Sequence, residues 1–451
     1  MSKSLAILML IDLVLAANAL VLATLLRLGK LGGTAEHGFG WPHVIVFALV
    51  LMLCGFFVEL YNRDREFSKT ETAVRIGVSL IVGFFALSAL YYMFPDIHVG
   101  RGILLMALAL FGIGQFIWHH CHGVLLSFPG IAQRVVILGN GSLGQKIEEI
   151  MPSVRNNYVF AGYIRPSQEA VCVPEASIVG NVDEIFDAVS RVKAHKIVVS
   201  LAERRGVLPV REILRCKLSG VEVVDALNFY EQLTGKLLVE NINPSWFIFS
   251  NGFRVTRFIR CYKRVLDILF STTGILLSLP LFPFIALAIK LDSRGQVFFR
   301  QNRVGEGEKE FMLYKFRTMT QDAEKNGAVW ARENDPRVTR IGNFLRKTRL
   351  DEIPQLLNVL KGDMSFVGPR PERPEFVKML EEKIPYYSKR HFVKPGVTGW
   401  AQVKYPYGAS VEDALEKLRY DLYYIKNISV FMDILIVLET IKVVLFGRGA
   451  R

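Results

Sequence analysis

Four apolar runs open the chain, at about residues 5–26, 44–60, 74–94 and 103–118. Each is close to the ~20 residues that cross ~30 Å of hydrocarbon as a helix. Lipid offers backbone N–H and C=O groups no partner, so runs of this length have to be helical. A membrane α-helical bundle is therefore expected over residues 1–130. The first run lacks a small-residue cleavage site and three more follow it, so it reads as a span and not a cleaved leader. Arg63, Arg65, Lys69 and Arg75 crowd the loop between the second and third runs, and the loops after the first and third are almost free of Lys and Arg. The positive-inside tendency then puts that basic loop, both ends of the bundle and everything after Trp118 in the cytoplasm. Asp12 lies inside the first run. A functional polar group is one reading; an inward-facing, hydrogen-bonded residue is the plainer one.

Charge divides the rest. Of the formal +13, residues 251–451 hold 34 Lys and Arg against 22 Asp and Glu, whereas residues 131–250 hold 13 of each. A basic lobe tethered to an apolar one suits an anionic partner such as a phosphate, a nucleotide or a membrane surface, and argues against nucleic acid. Cys54, Cys121, Cys172, Cys216 and Cys261 are scattered and form no CxxC pair, so neither a disulfide framework nor a zinc site is expected. His119, His120, Cys121 and His122 read as the interfacial end of a helix, because no neighbouring carboxylate completes a metal set.

From residue 134 strands and helices alternate. A strand at 134–138 leads into Gly139-Asn140-Gly141-Ser142-Leu143-Gly144 and a helix, with further strands at 159–164, 196–200 and 221–224. This is the pattern of a Rossmann-like α/β module over residues 131–250. The second strand ends at Arg165 without the acid that binds a ribose, and no Tyr-x-x-x-Lys pair occurs. A structural or regulatory role without redox chemistry is the expectation.

A fifth apolar stretch, about 265–289, has basic residues on both flanks and Pro280 and Pro283 in its middle. Proline removes a helix hydrogen bond and forces a kink or break. A straight span would place one basic flank across the membrane; a re-entrant helix that breaks at Pro280 keeps both on one side. The run at 430–446 carries Asp433, Glu439 and Lys442 and reads as an amphipathic helix in the interface.

The densest constellation runs from Arg346 to Pro371. Asp351 and Glu352 precede Pro354, which is tolerable only in a first helical turn, and Gly362 suits a helix exit. Arg346, Lys347 and Arg349 come just before the acids, and Arg370 follows on a Gly368-Pro369-Arg370-Pro371 turn. Two readings stand for these residues: a capping acid pair with surface ion pairs, or a phosphoryl-transfer site. In the second, one carboxylate attacks phosphorus, the other holds Mg²⁺, and arginines neutralise the transferring group.

Residues 299–305, 314–319, 350–356, 362–371, 394–403 and 420–427, with the basic entry to the apolar stretch and Pro280, resemble the bacterial sugar transferase family of polyprenyl-phosphate hexose-1-phosphate transferases. The resemblance implies a mixed, mainly α catalytic domain over 251–451 with a re-entrant helix. It implies transfer of a hexose 1-phosphate from a UDP-sugar, UDP-glucose being favoured, to undecaprenyl phosphate with release of UMP, as the first membrane step of exopolysaccharide or O-antigen assembly. Asp351 would be the nucleophile, forming an aspartyl-phosphosugar, and Glu352 with Asp351 the Mg²⁺ site. Arg346, Arg370, Lys315, Arg317, Pro369 and Pro371 would serve phosphate and nucleotide binding, and Asp421 a supporting role. His391 is left between packing and substrate contact. The bilayer and a homodimer are the other expected partners, and the bacterial inner membrane the expected location. Two rivals are a membrane-bound NAD-dependent nucleotide-sugar dehydratase or epimerase, which lacks its Tyr-x-x-x-Lys pair here, and a non-enzymatic membrane scaffold.

Overall fold

A computed structural model describes residues 3–29, 40–58, 60–61, 69–126, 132–139, 141–154, 158–166, 173–201, 208–242, 244–321, 323, 335–405, 408 and 410–446. Arg63, Arg65, Asn140 and Cys172 lie outside them. The chain divides into two compact units, Met1–Leu233 and Thr234–Arg451.

The first unit begins with helices α1 (Lys3–Leu28), α2 (Trp41–Phe57), α3 (Lys69–Met93) and α4 (Arg101–Leu126). Stretches of α1, α3 and α4 are long and apolar enough to cross a membrane; α2, at 17 residues, is shorter. The four close into a ring in which α1 packs on both α2 and α4. Small residues line the seam: Ala16, Ala19 and Ala23 of α1 lie in one buried cluster with Ala48 and Ala107. Hydrocarbon gives apolar helices no reason to associate by burial alone, so close backbone approach and dispersion have to do it. Leu53, Phe56, Ile81, Phe85 and Ile113 point outward. Asp12 is fully buried and accepts hydrogen bonds from Tyr61 Oη at 2.8 Å, Gln115 Nε2 at 2.7 Å and His119 Nε2 at 3.0 Å. The plainer reading of Asp12 therefore holds, while His119 does meet a carboxylate, supplied from another helix 107 positions away.

Downstream, β1 (Gln133–Leu138), α5 (Ser142–Val154), β2 (Tyr158–Arg165), β3 (Ile178–Asn181), α6 (Ile185–Arg191), β4 (Lys196–Val199), α7 (Val210–Leu218), β5 (Glu222–Asp225) and α8 (Ala226–Thr234) alternate. The strands form one parallel sheet in the order β3-β2-β1-β4-β5. Four of the five stand where hydrophobic runs placed them. The sequence reading missed β3, whose four residues Ile-Val-Gly-Asn are too short and too interrupted to signal a strand.

In the second unit, α9 (Pro244–Phe249) precedes α10 (Arg257–Ser278) and α11 (Phe282–Asp292), which the 3-10 turn Leu279–Leu281 joins. Pro280 sits in that turn and Pro283 in the first turn of α11, where its missing N–H leaves no bond unmade. Both arms dock on the same polar lobe. Arg264 of α10 donates to the carbonyls of Val359 and Leu360, and Asp267 accepts from Ser365 Oγ and Phe366 N. Ile285 and Ile289 of α11 pack with Phe316, Leu345, Leu350 and Ile353. The opposite face leaves Leu269, Leu276, Leu277, Phe284, Leu287 and Leu291 exposed.

The lobe itself comprises the hairpin β6 (Phe298–Val304) and β7 (Glu310–Phe316), then α12 (Arg340–Lys347), α13 (Gln355–Lys361), β8 (Ser365–Val367), α14 (Pro374–Lys383), β9 (Gly396–Thr398), α15 (Trp400–Lys404), α16 (Val411–Lys426) and α17 (Val430–Phe446). On α17, Asp433 is buried, bonded to Lys263 and Tyr424, and does not belong to a solvated face.

Helix α12 lies so close to the strand exit that a Cβ on Gly342 would stand 2.0 Å from the Thr318 carbonyl oxygen. Gly342→Ala should therefore destabilise the chain by about 1–3 kcal/mol or more. A control, Gly77→Ala, has nothing within 4 Å and should leave the melting temperature unchanged or slightly raised. Thermal melts of the two variants in one detergent check this.

Candidate active site

The acid pair sits between two short helices. Thr339 caps α12, its Oγ1 accepting from Gly342 N at 3.0 Å. The chain then turns through Arg349, whose left-handed backbone (φ 59°) is costly for a residue with a Cβ and is stored strain of about 1–3 kcal/mol. The 3-10 turn Leu350–Glu352 follows, then Pro354 and α13, which stops at Gly362 with φ 93°. Leu350 and Ile353 drop into the apolar cluster under α11, and this draws Asp351 and Glu352 between them to 7% exposure each.

Burying two adjacent carboxylates demands cations. Glu352 Oε1 takes a hydrogen bond from Arg370 Nη2 at 2.8 Å and another from Lys315 Nζ at 3.3 Å, and Arg349 Nη1 lies 3.6 Å from Oε2. Burial works against the ionised form, but Arg370, Lys315 and Arg349 outweigh it and hold Glu352 far below the usual carboxylate range. Asp351 moves the other way. Burial and the Glu352 charge raise its carboxyl, and Lys315, Arg370 and Arg346 pull back only in part. Two neighbouring acids thus have environments that push them apart, a pattern that assigns them different jobs. Lys315 is itself lowered by burial and by Arg370, with Glu352 opposing. Four cations surround two acids, so the site stays positive with both acids ionised.

Arg346 donates from Nε to Thr318 Oγ1 at 3.0 Å. Arg317 lies elsewhere: its Nη2 donates to the Ser293 carbonyl and hydroxyl at 2.7 and 3.0 Å, bracing the exit of α11. Pro369 and Pro371 flank Arg370 in a segment that is held through its carbonyls. Gly396 N donates to Pro369, Arg390 Nη2 to Arg370, Arg303 Nη1 to Pro371 and Val304 N to Glu372. Prolines have no N–H to give, so this one-sided anchoring fixes the backbone and leaves the Arg370 side chain to reach Glu352.

Asp421 stands behind that segment. It is buried, and its Oδ2 accepts from Arg390 Nη2 at 2.8 Å. Burial raises its carboxyl to about 6 despite Arg390. Arg390 also donates to Tyr387 Oη, so one guanidinium ties Asp421 to the Arg370 backbone. Sequence reasoning singled out His391 and passed over Arg390; the signal was the short basic run Lys389-Arg390-His391 beside the Asp421 block. His391 is buried, and burial with Arg390 alongside lowers its imidazole to about 3. Asn358 was missed too. Fully buried on α13, it accepts from Tyr314 N and donates to the Met312 carbonyl, fixing the height of β7 and so of Lys315.

Residues 258–447 match the family model described as bacterial sugar transferase. An Aeromonas hydrophila protein named UDP-N-acetylgalactosamine-undecaprenyl-phosphate N-acetylgalactosaminephosphotransferase is 45% identical over 241 residues, 53% of this chain and 56% of its own length. The exopolysaccharide production protein PSS of Rhizobium leguminosarum is 44% identical over 185 residues, 40% of this chain and 92% of that protein. The chain belongs to the bacterial sugar transferase family. A third relative, the UDP-glucose:undecaprenyl-phosphate glucose-1-phosphate transferase of Xanthomonas campestris, is 34% identical over 329 residues, 69% of this chain and 66% of that one. The chain thus spans little more than half the length of the Aeromonas protein. Every residue placed around Asp351 above falls inside the stretch that marks this bacterial sugar transferase.

Removing one partner of the buried Arg390–Asp421 pair leaves a cation uncompensated, at a cost of about 3–5 kcal/mol. Asp421→Asn should lower the melting temperature accordingly, and Asp421→Glu should restore part of it, both measured by thermal melts on the full chain.

Proposed function

We propose that the chain transfers a sugar 1-phosphate from a UDP-sugar to undecaprenyl phosphate, releasing UMP, through a covalent phosphosugar on Asp351. The observation that carries this reading is the division of the two acids: Glu352 is already neutralised by three cations, while Asp351 has no direct ion pair among the described residues. Asp351 is thereby the carboxylate free to react. Its oxygen attacks the phosphorus that bears the sugar, the bond from that phosphorus to the UMP oxygen breaks, and UMP leaves. An oxygen of undecaprenyl phosphate then attacks the same phosphorus, the acyl-phosphate bond breaks, and Asp351 returns as a carboxylate.

Arg346 and Arg370 neutralise charge on the phosphates, and Lys315 joins them beside Glu352. Arg317, committed to Ser293, braces the site from outside, and Asp421 positions Arg370 through Arg390. The donor set suits a hard cation: two carboxylates side by side, with Arg349 Nη1 3.6 Å from Glu352 Oε2. Glu352 and Asp351 would hold Mg²⁺ there, and the ion would supply positive charge to offset the anionic phosphates.

Docking of both α10 and α11 on one lobe supports a re-entrant helix. Arg264 and Ile289 are 25 residues apart, roughly 37 Å along a straight helix, more than the ~30 Å of hydrocarbon. The exposed apolar face of the pair then sits in one leaflet, and Asp351 lies at headgroup depth, where a lipid phosphate and a cytosolic nucleotide sugar can meet. The chain on this reading is a bacterial inner-membrane protein with its lobe in the cytoplasm, acting in exopolysaccharide or O-antigen assembly. The sheet of β1 to β5 serves as a Rossmann-like structural or regulatory module. The relatives' names divide between glucose and N-acetylgalactosamine, so the donor is a UDP-hexose of that class.

Purified full-length protein given a UDP-hexose, undecaprenyl phosphate and Mg²⁺ should release UMP, and EDTA should stop it. Asp351→Asn should abolish release and the donor-dependent mass adduct; release by Asp351→Asn at the unmodified rate would refute the reading. Lys315 pulls the Asp351 carboxyl down, so Lys315→Met should move the acidic limb of kcat/KM to higher pH, besides lowering its plateau.

A further inference from the structure

Beyond the acid pair, another group of side chains among the described residues converges without an explained purpose. We propose that Glu308, Glu381 and His391 form a binding site for a divalent transition-metal ion of the zinc type, separate from Asp351 and Glu352. Three segments meet there: the tight turn Glu306–Glu308 that closes the β6–β7 hairpin and, some 70 residues on, the C-terminal part of α14 and the short 3-10 helix Tyr387–Phe392 that follows it. One ligand atom from each residue lies within 4.8 Å of the other two.

His391 supplies the independent observation. Its side chain is more than nine-tenths buried, and its Nδ1 has no hydrogen-bond partner among the described residues. A buried ring nitrogen without a partner forfeits its solvation for nothing, unless something absent from the protein's own atoms completes it. A ring nitrogen of His391 lies within 4.8 Å of carboxylate oxygens of Glu308 and Glu381, and among the described residues neither acid is in an ion pair. Glu308 also holds a left-handed backbone (φ 63°).

The donor chemistry selects the ion. Magnesium and calcium prefer all-oxygen sets, whereas imidazole with carboxylates suits zinc and its first-row neighbours. One histidine and two carboxylates leave a coordination position for water, and the two exposed glutamates give the ion a path in and rotate to close the remaining distance. A bound ion would staple the hairpin turn to the segment that carries Arg390, whose guanidinium holds the Arg370 carbonyl. Its place is thus structural support for the lobe and not the transfer step.

The test uses the full chain in detergent, stripped with a chelator and dialysed into excess Mg²⁺, with Co²⁺ as the spectroscopic probe and Zn²⁺ as competitor. The unmodified protein should take up one Co²⁺ more than Glu308→Gln/Glu381→Gln, with visible ligand-field absorption that Zn²⁺ abolishes. Its melting temperature should rise with Zn²⁺ while that of the double variant does not. Each single glutamine variant should weaken Co²⁺ binding at least about tenfold. Asp351→Asn should keep the site intact, so failure here and failure of the transfer reaction are distinguishable. Because both glutamates are exposed, these variants fold even if His391→Ala does not. Equal Co²⁺ uptake by unmodified and double-variant protein, or displacement of Co²⁺ by the excess Mg²⁺, would overturn the proposal.

Discussion

Two carboxylates side by side in a nearly dry turn are the arrangement on which the rest of the lobe depends. Neither the turn nor its acids would be stable there without compensation, since the interior replaces none of the water they lose. The compensation comes from four separate elements. Lys315 arrives on β7, Arg346 on α12, Arg349 from the strained residue before the turn, and Arg370 from the proline-flanked segment after β8. Each of those elements is in turn held in place. Asn358 fixes β7, Thr339 and the close approach at Gly342 fix α12, and a row of carbonyl acceptors fixes Arg370.

The same logic explains why the support reaches so far. Arg370 can neutralise Glu352 only while its backbone stays put, and that backbone is tied through Arg390 to Asp421 on α16, 69 positions away in sequence from Glu352. Buried polar chains of this kind are stable only when every member is satisfied. Arg390 meets this condition by splitting its donors among Asp421, Tyr387 and the Arg370 carbonyl.

The apolar helix imposes the second constraint. Its polar residues Lys263, Arg264 and Asp267 are spent inward on Val367, Tyr424, Asp433, Val359, Leu360 and Ser365, and the face turned away exposes Leu269, Leu276, Leu277, Phe284, Leu287 and Leu291. Past Pro280 the second arm buries Ile285 and Ile289 directly beneath Leu350 and Ile353. The turn that carries the acids is therefore seated on the helix that carries the greasy surface.

Much of this was legible in the chain beforehand. Hydrophobic runs of membrane length, alternating strand and helix patterns and proline in an apolar stretch each act over a few residues, and they set the four opening helices, four of the five parallel strands and the interruption at Pro280. The acid pair before Pro354 was equally plain, because a proline-started helix is a local matter. What lay beyond local reach were the pairings between distant segments. That Asp12 would meet His119, that Lys315 would face Glu352 while Arg317, two residues on, turned to Ser293, and that Arg390 would carry Asp421's influence to Arg370 all depend on which surfaces pack together. The sequence by itself determined the elements and the chemical character of the site, because propensity and periodicity are short-ranged. Only the tertiary structure decided which cation serves which acid, because burial and charge pairing are properties of the packed whole.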